Sequence, residues 1–176
     1  LVFVLKGEIA SSTSSADSSY CFTEYFPAPF LIEAHSIFGM KTHYASTYRA
    51  RTEVHTVSIS KAFVVKELFN YEIFRLNYMN IISNRAQSLN STQMLHNRLW
   101  AVFGNSPESR IIHFILSHTE RLSGEKILKI KMEDLAQIIN ETRTGVSKAL
   151  NTMQTKGLVE LHRGEIILPN VENLIN

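Results

Sequence analysis

The chain has 176 residues, 44% of them apolar and 19% charged, and carries a net charge of +2. That length holds one large or two small domains, and the balance of residue types is that of a globular protein, so disorder is not the default expectation. The charge permits a nucleic-acid partner without arguing for one, so any cationic surface must be built locally.

The single cysteine, Cys21, excludes an internal disulfide, a four-thiolate cluster and a zinc knuckle, and reads as a small apolar filler near a strand. Absence of disulfides fits a reducing compartment, so a cytoplasmic location is expected. Charges break every apolar run before about 18 residues, so no membrane span is expected. "LVFVLKGEIA" at the start is no signal peptide, because it lacks a basic leader and Lys6 and Glu8 interrupt it. The chain opens in mid-strand without a methionine, and a preceding segment is expected.

Residues 1–69 read as mostly β. "LVFVLKGEIA" is a strand with Gly7, "SSTSSADSSY" (11–20) a polar hairpin connection, and "CFTEYFPAPF" a strand stopped by Pro27 and Pro29. "YRARTEVHTVSIS" (48–60) alternates, with Val54, Thr56 and Ser58 on one face and Arg51, Glu53, His55, Val57 and Ile59 on the other. Short strands at this spacing suggest a sandwich or jelly roll. Helical character begins at "KAFVVKELF".

Residues 70–103 hold neither Pro nor Gly and predict one long helix. Phe74, Tyr78, Ile81, Ile82, Leu89, Leu95, Leu99 and Trp100 recur at spacings of three, four and seven. Such a stripe suits a coiled-coil seam, in which Gln93 and His96 can set register. "FGNSPES" (103–109) is a hinge: Gly104 ends one helix, Asn105 or Ser106 caps the next, and Pro107 opens it.

The remaining residues predict a compact αβ region. "SPESRIIHFILSHTERL" is a helix with Ile111, Ile112, Ile115 and Leu116 inward, ended by Gly124. "KILKI" (126–130) is a strand and "KMEDLAQII" (131–139) a short helix. Asn140 supplies a left-handed turn, Thr142 caps a second helix, and "GLVELHRGEIIL" (157–168) is a hairpin about "HRG". Helix, strand, helix, tight turn, helix, hairpin is the order of a winged helix-turn-helix. Small Ala136, the turn residue Asn140 and apolar Val146 stand in the register that motif needs.

The second helix then has two sides. Val146, Ala149, Leu150 and Met153 face the first helix, while Arg143, Thr144, Ser147 and Lys148 project outward. In this motif the second helix enters the DNA major groove N-terminus first. Arg can pair with guanine O6 and N7, Ser and Thr can meet phosphates or base edges, and free amides at the helix start favour phosphate. Arg163 at the hairpin tip is placed like a wing that touches the DNA backbone.

"IKMEDLAQIINETRTGVSKALNTMQTKGLVELHRGEIIL" (130–168) resembles the C-terminal domain of the Crp–Fnr family of bacterial transcription regulators. "LVFVLKGEIA" is similar to a strand of that family's β-roll, and "YRARTEVHTVSISKAFVVKELF" to the strand leading into its dimer helix. The resemblance implies an α+β fold: a cyclic-nucleotide-binding-like β-roll (jelly roll) over 1–69 with its early strands before residue 1, a dimerisation helix over 70–103, and a winged helix-turn-helix over 104–176. It implies that Arg143, Thr144, Ser147 and Lys148 meet double-stranded DNA, and the capping residue Thr142 and the wing residue Arg163 are expected to join them. It also implies a homodimer through 70–103, a small-molecule effector, and RNA polymerase as a further partner. Thr144 replaces the family's usual acidic residue and Lys148 its usual Arg, so the operator is expected to differ from the common palindrome.

The resemblance also locates an effector pocket in "PFLIEAHSIFGMKTHYASTYRA" (29–50). There the family uses Gly-Glu for a ribose and, a dozen or so residues later, Arg-Ser or Arg-Thr for a cyclic phosphate. Here Glu33 follows Ile32, and Tyr44-Ala45 stands where the Arg pair is expected; Arg49 and Arg51 lie farther along and face outward or pair locally. A buried phosphate demands a guanidinium, which argues against a cyclic nucleotide. One cysteine argues against an iron–sulfur sensor. Haem stays open: there are seven histidines but no ligand motif, and His35 and His43 read as ordinary surface or loop residues.

No Ser-His-Asp, Cys-His or carboxylate pair sits at a spacing that suggests catalysis, so no enzyme is expected. Two functions follow: a dimeric, sequence-specific DNA reader, or a ligand-sensing or protein-interaction module in which the winged helix binds protein. Salt separates them, because contacts to several phosphates weaken steeply as salt rises.

Overall fold

The computed structural model describes residues 1–103 and 105–175, with the backbone alone for residues 88, 89 and 91–103. The chain forms two compact units, one of Leu1–Ser11 and Phe26–Asn90, the other of Ser12–Tyr25 and Ser91–Asn176.

In the first unit, β1 (Val2–Lys6) lies between β4 (Phe30–Ile32) and β6 (His55–Ser58) in an antiparallel sheet. Phe3 faces Leu31 on one side and Val57 on the other. Val4, Ile9, Phe26 and Ile32 close the core, and the Phe26 and Phe30 rings stack at 4.5 Å. Gly7 has φ +89°, and a Cβ there would collide with the Glu53 carbonyl, so this turn requires glycine.

The strand expected over 48–60 is two: β5 (Thr47–Ala50) and β6. The chain bends between them because Arg51 is tied to Glu8, by its N–H to the Glu8 carbonyl (2.9 Å) and by its guanidinium to the carboxylate (3.0 Å). The residues of β6 are all exposed, so their alternation buries neither face within this chain.

Ser60 caps α1 (Lys61–Lys66) by accepting the Phe63 N–H at 3.2 Å. The long helix α2 spans Glu72–Phe103, about 48 Å of axis. The Tyr78 hydroxyl donates to the Ala34 carbonyl at 2.7 Å, and Phe38, Phe69, Phe74 and Tyr78 form one aromatic cluster. Ile82 is half-buried, whereas Ile81 is exposed with Ile73, Leu76 and Met79. The side chains of the expected seam residues Leu89, Leu95, Leu99 and Trp100, those of Gln93 and His96, and all of Gly104 lie outside the described residues.

The hairpin connection expected over 11–20 is shorter. Strand β2 runs Glu8–Ser14 and β3 runs Tyr20–Pro27, leaving Ser15–Ser19 as the turn. Small hydroxyl residues are tolerated in these strands because they bond across them: Ser12 and Thr23 hydroxyls meet at 2.8 Å.

In the second unit, Ser106 caps α3 (Pro107–His118) through the Ser109 N–H, with Pro107 in the first turn. The helix ends at His118, not at Gly124. His118 Nδ1 and Thr119 Oγ1 fold back on the Phe114 and Ile115 carbonyls, both at 2.8 Å, and so occupy acceptors the last turn leaves open. Gly124, with φ +82°, serves the turn before β7 (Lys126–Ile130). The second unit also holds β8 (Glu160–His162) and β9 (Glu165–Leu168), giving the sheet order β3-β7-β9-β8. Residues Tyr20–Glu24 of β3 pair antiparallel with Ile130–Lys126 of β7. Phe22 thereby joins Ile111, Ile115, Leu128, Leu135, Leu150 and Leu168 in one core.

Candidate nucleic-acid interface

Two helices joined by a tight turn carry the outward side chains. In α4 (Met132–Ile138), Leu135 and Ala136 are buried; in α5 (Arg143–Thr155), Val146, Ala149, Leu150 and Met153 are buried. Ala136 is the small residue beneath the turn, and its carbonyl accepts the Glu141 N–H at 2.9 Å. Asn140 takes φ +54°, a conformation Asn tolerates better than most residues. Arg110 of α3 pins the turn from behind, donating to the carbonyls of Ile139 (3.2 Å) and Asn140 (2.8 Å) and pairing with Glu141 at 3.3 Å. Nothing in the local pattern around Arg110 signals this role, because it depends on how α3 packs.

Thr142 caps α5, its hydroxyl accepting the Gly145 N–H at 3.0 Å. A Cβ on Gly145 would come within 3.1 Å of that oxygen, so the small residue suits the cap. Thr142, Arg143, Thr144 and Lys148 are exposed and Ser147 is half-buried, together forming the polar side of α5. Arg143 and Arg163, far apart in sequence, line the same recess of about 690 Å³ with Lys131, Glu133 and His162. Its floor is apolar, formed in part by Leu135, Leu150 and Ile166. The Glu133 carboxylate pairs with Arg143 Nε at 2.9 Å; both side chains are exposed, and the sequence reading missed this partner. The arrangement offers cationic tips and the capped N-terminus of α5 to a polyanion.

The residues expected to line an effector pocket lie in the first unit. Glu33 is buried with φ +33°, and its carboxylate collects the Ser36 hydroxyl (2.7 Å), the N–H groups of Ala45 (3.0 Å) and Ser46 (3.2 Å), and the Tyr48 hydroxyl (3.1 Å). Burial alone would push this carboxyl up, but the donors from Ser36, Ala45, Ser46 and Tyr48 together hold it below its ordinary range. Burial, reinforced by the Glu33 carboxylate, pushes the Tyr48 phenol up to about 12. Glu33 and Ala45 thus meet directly, whereas Tyr44 is exposed, with its ring edge-on to Tyr48 at 6.0 Å. Among the described residues, no group of three or more His, Cys, Asp or Glu could hold a metal ion.

The family model of the Crp-like helix-turn-helix domain matches residues 109–176. Among solved structures, the chain is similar to the c-di-GMP responsive global regulator CLP of Xanthomonas campestris, with 17% identity and TM-score 0.50 over 96% of this chain and 84% of that one. It is also similar to a putative regulator of the Crp–Fnr family from Eubacterium rectale, at 21% identity, TM-score 0.45, and 98% and 77% coverage. The catabolite activator protein of Thermus thermophilus follows at 13%, 0.43, and 98% and 78%. No curated protein matches the chain at a significant level.

The helix-turn-helix geometry and the family match define residues 109–176 as a Crp-like helix-turn-helix domain, and the fold of the chain is similar to that of the regulator CLP. Residues 109–176 belong to the family of Crp-like helix-turn-helix domains. No helix among the described residues is long and apolar enough to cross a membrane.

Proposed function

We propose that this chain is a transcription regulator of the Crp–Fnr type and reads a near-palindromic operator as a homodimer, with α5 of each copy in a major groove and half-sites about one helical turn apart. The observation that carries the reading is the polar side of α5, where Arg143, Thr144 and Lys148 are exposed beside a recess shared with Arg163. Arg143 reads base edges, Thr142, Thr144 and Ser147 meet phosphate or bases, and Lys148 and Arg163 neutralise phosphates. Exposed Ile73, Leu76 and Met79 on α2 support a second copy of this chain as the partner of that helix. The reading takes the cytoplasm as its location and RNA polymerase as a further partner. It includes neither a cyclic nucleotide nor an iron–sulfur cluster, and it leaves haem open.

Selection of bound duplexes from a random pool, followed by sequencing, tests the proposal. Enrichment of an inverted repeat is the expected result. Binding that is independent of sequence overturns it, and so does absence of binding even at low salt, which points instead to a winged helix used on protein.

A further inference from the structure

Glu33 presents an arrangement that the regulator reading does not use. A carboxylate on a side chain only 4% exposed is ringed by donors from two segments: Ser36 on the 3-10 turn Ala34–Phe38, and Ala45, Ser46 and Tyr48 where the loop returns as β5. Backbone N–H groups and hydroxyls converging on one buried point favour an anion, because the two oxygens of an ionised carboxylate accept several donors at once and each such bond is strengthened by the charge. The site already holds a negative charge, supplied by the chain itself. Glu33 adopts a left-handed backbone conformation (φ +33°, ψ +55°), a strained state for a residue with a side chain, and its carboxylate lies among these donors.

We propose that the sensor pocket of the first unit is self-liganded: Glu33 occupies an anion cradle that would otherwise take a small carboxylate or phosphate, so residues 34–46 are ordered without an added effector. This rests on reading the first unit as the sensor half of a regulator. It gives that half a defined state: the anion that closes the loop is covalently present at saturating effective concentration. A small molecule can occupy the cradle only by expelling Glu33.

The test is chemical rescue of the full chain, with melting followed by circular dichroism in sodium acetate, sodium formate or sodium phosphate against sodium chloride at equal ionic strength. The parent is expected to melt alike in all four. Glu33→Ala is expected to melt roughly 5 °C or more below the parent in chloride and to recover saturably with acetate or formate. Glu33→Gln fills the cradle with an amide whose own donors oppose the site's, and it is expected to stay destabilised without rescue. A folded Glu33→Ala chain indifferent to all three anions overturns the proposal. So does a parent chain whose melting temperature rises with a cyclic nucleotide.

Should Glu33→Ala fail to fold, amide hydrogen exchange at Ala45 and Ser46 of the parent decides. Slowing by tenfold or more relative to an unstructured peptide supports the cradle, and exchange at the unstructured rate overturns it. None of these measurements involves DNA, so their failure is distinct from failure of the regulator reading.

Discussion

Glu24 and Lys126 face each other across β3 and β7, Oε1 to Nζ at 3.4 Å, with their side chains only 8% and 1% exposed. The Lys126 ammonium also donates to the carbonyls of Ser123 (2.7 Å) and Gly124 (3.2 Å), and the Glu24 carboxylate accepts the N–H groups of Glu120 and Arg121. Burial pushes the Glu24 carboxyl up and the Lys126 ammonium down, each opposed by the charge of the other. Removing either partner leaves the other charge buried with its backbone hydrogen bonds but without the opposite charge beside it. Lys126→Met is therefore expected to cost about 3–5 kcal/mol in urea denaturation. A loss below about 1 kcal/mol would show the pair to be solvated in solution.

On α5, Arg143 and Lys148 are expected to fail in different ways. Arg143→Ala loses a planar, two-pronged contact, so discrimination at one base pair falls by about 1–3 kcal/mol while binding to unrelated duplexes changes little. Lys148→Ala loses a point charge, so binding weakens on every sequence and the salt dependence becomes shallower by about one counterion. Fluorescence anisotropy on operator and scrambled duplexes across a salt series reads both. Equal losses on all duplexes for both variants would contradict the assignment.

At the helix-turn-helix turn, Asn140 holds φ +54°. Asn140→Ala is expected to lose about 1 kcal/mol, and Asn140→Gly to be neutral within a few tenths. Thermal melting of the two variants checks the order; Ala equal to Gly would mean that the turn relaxes to another conformation.

Acid is expected to weaken the first unit through Glu33. Its folded-state pKa lies below the ordinary value of 4.5, so the unfolded chain binds more protons in the interval between the two, and stability rises with pH there. The contribution is complete above about pH 4.5 and fades as pH falls through the folded value. Ser36, Tyr48, the N–H groups of Ala45 and Ser46, and His35 at 4.0 Å face this carboxylate. Denaturation at pH 7 and pH 4 is expected to show a smaller acid loss in Glu33→Gln than in the parent. Equal losses would place the acid-sensitive group elsewhere.

The helix-turn-helix was legible because its signals are local. A cap at Thr142, a turn residue at Asn140 and an apolar triplet at Val146, Ala149 and Leu150 are each readable within a few positions, and the structure has all of them. The end of α3 was misread because Gly124 is a strong breaker in sequence, whereas the helix stops earlier on side-chain bonds from His118 and Thr119. The extension of β2 through the serines was hidden by composition, since a run of Ser reads as a loop until Thr23 is known to lie opposite Ser12. Lys126 carries a charge that gives no sign of burial in the sequence; only its partner on β3 makes it a core residue. Arg110, Glu133 and the donors Ala45, Ser46 and Tyr48 around Glu33 likewise act at distances in sequence that no local pattern reports.

The pairing of β3 with β7 also has a consequence for synthesis. Tyr20 bonds His118 across 98 residues of chain, so the first half of the winged-helix sheet is made long before its second half. At ordinary translation speeds of about 5–20 residues per second, Tyr20, Phe22 and an unpaired strand edge wait roughly 5–20 s for α3 and β7 to emerge from the ribosome. During that interval the nascent chain presents a short adhesive ribbon, a natural landing place for a chaperone and a point at which two neighbouring nascent copies could pair wrongly.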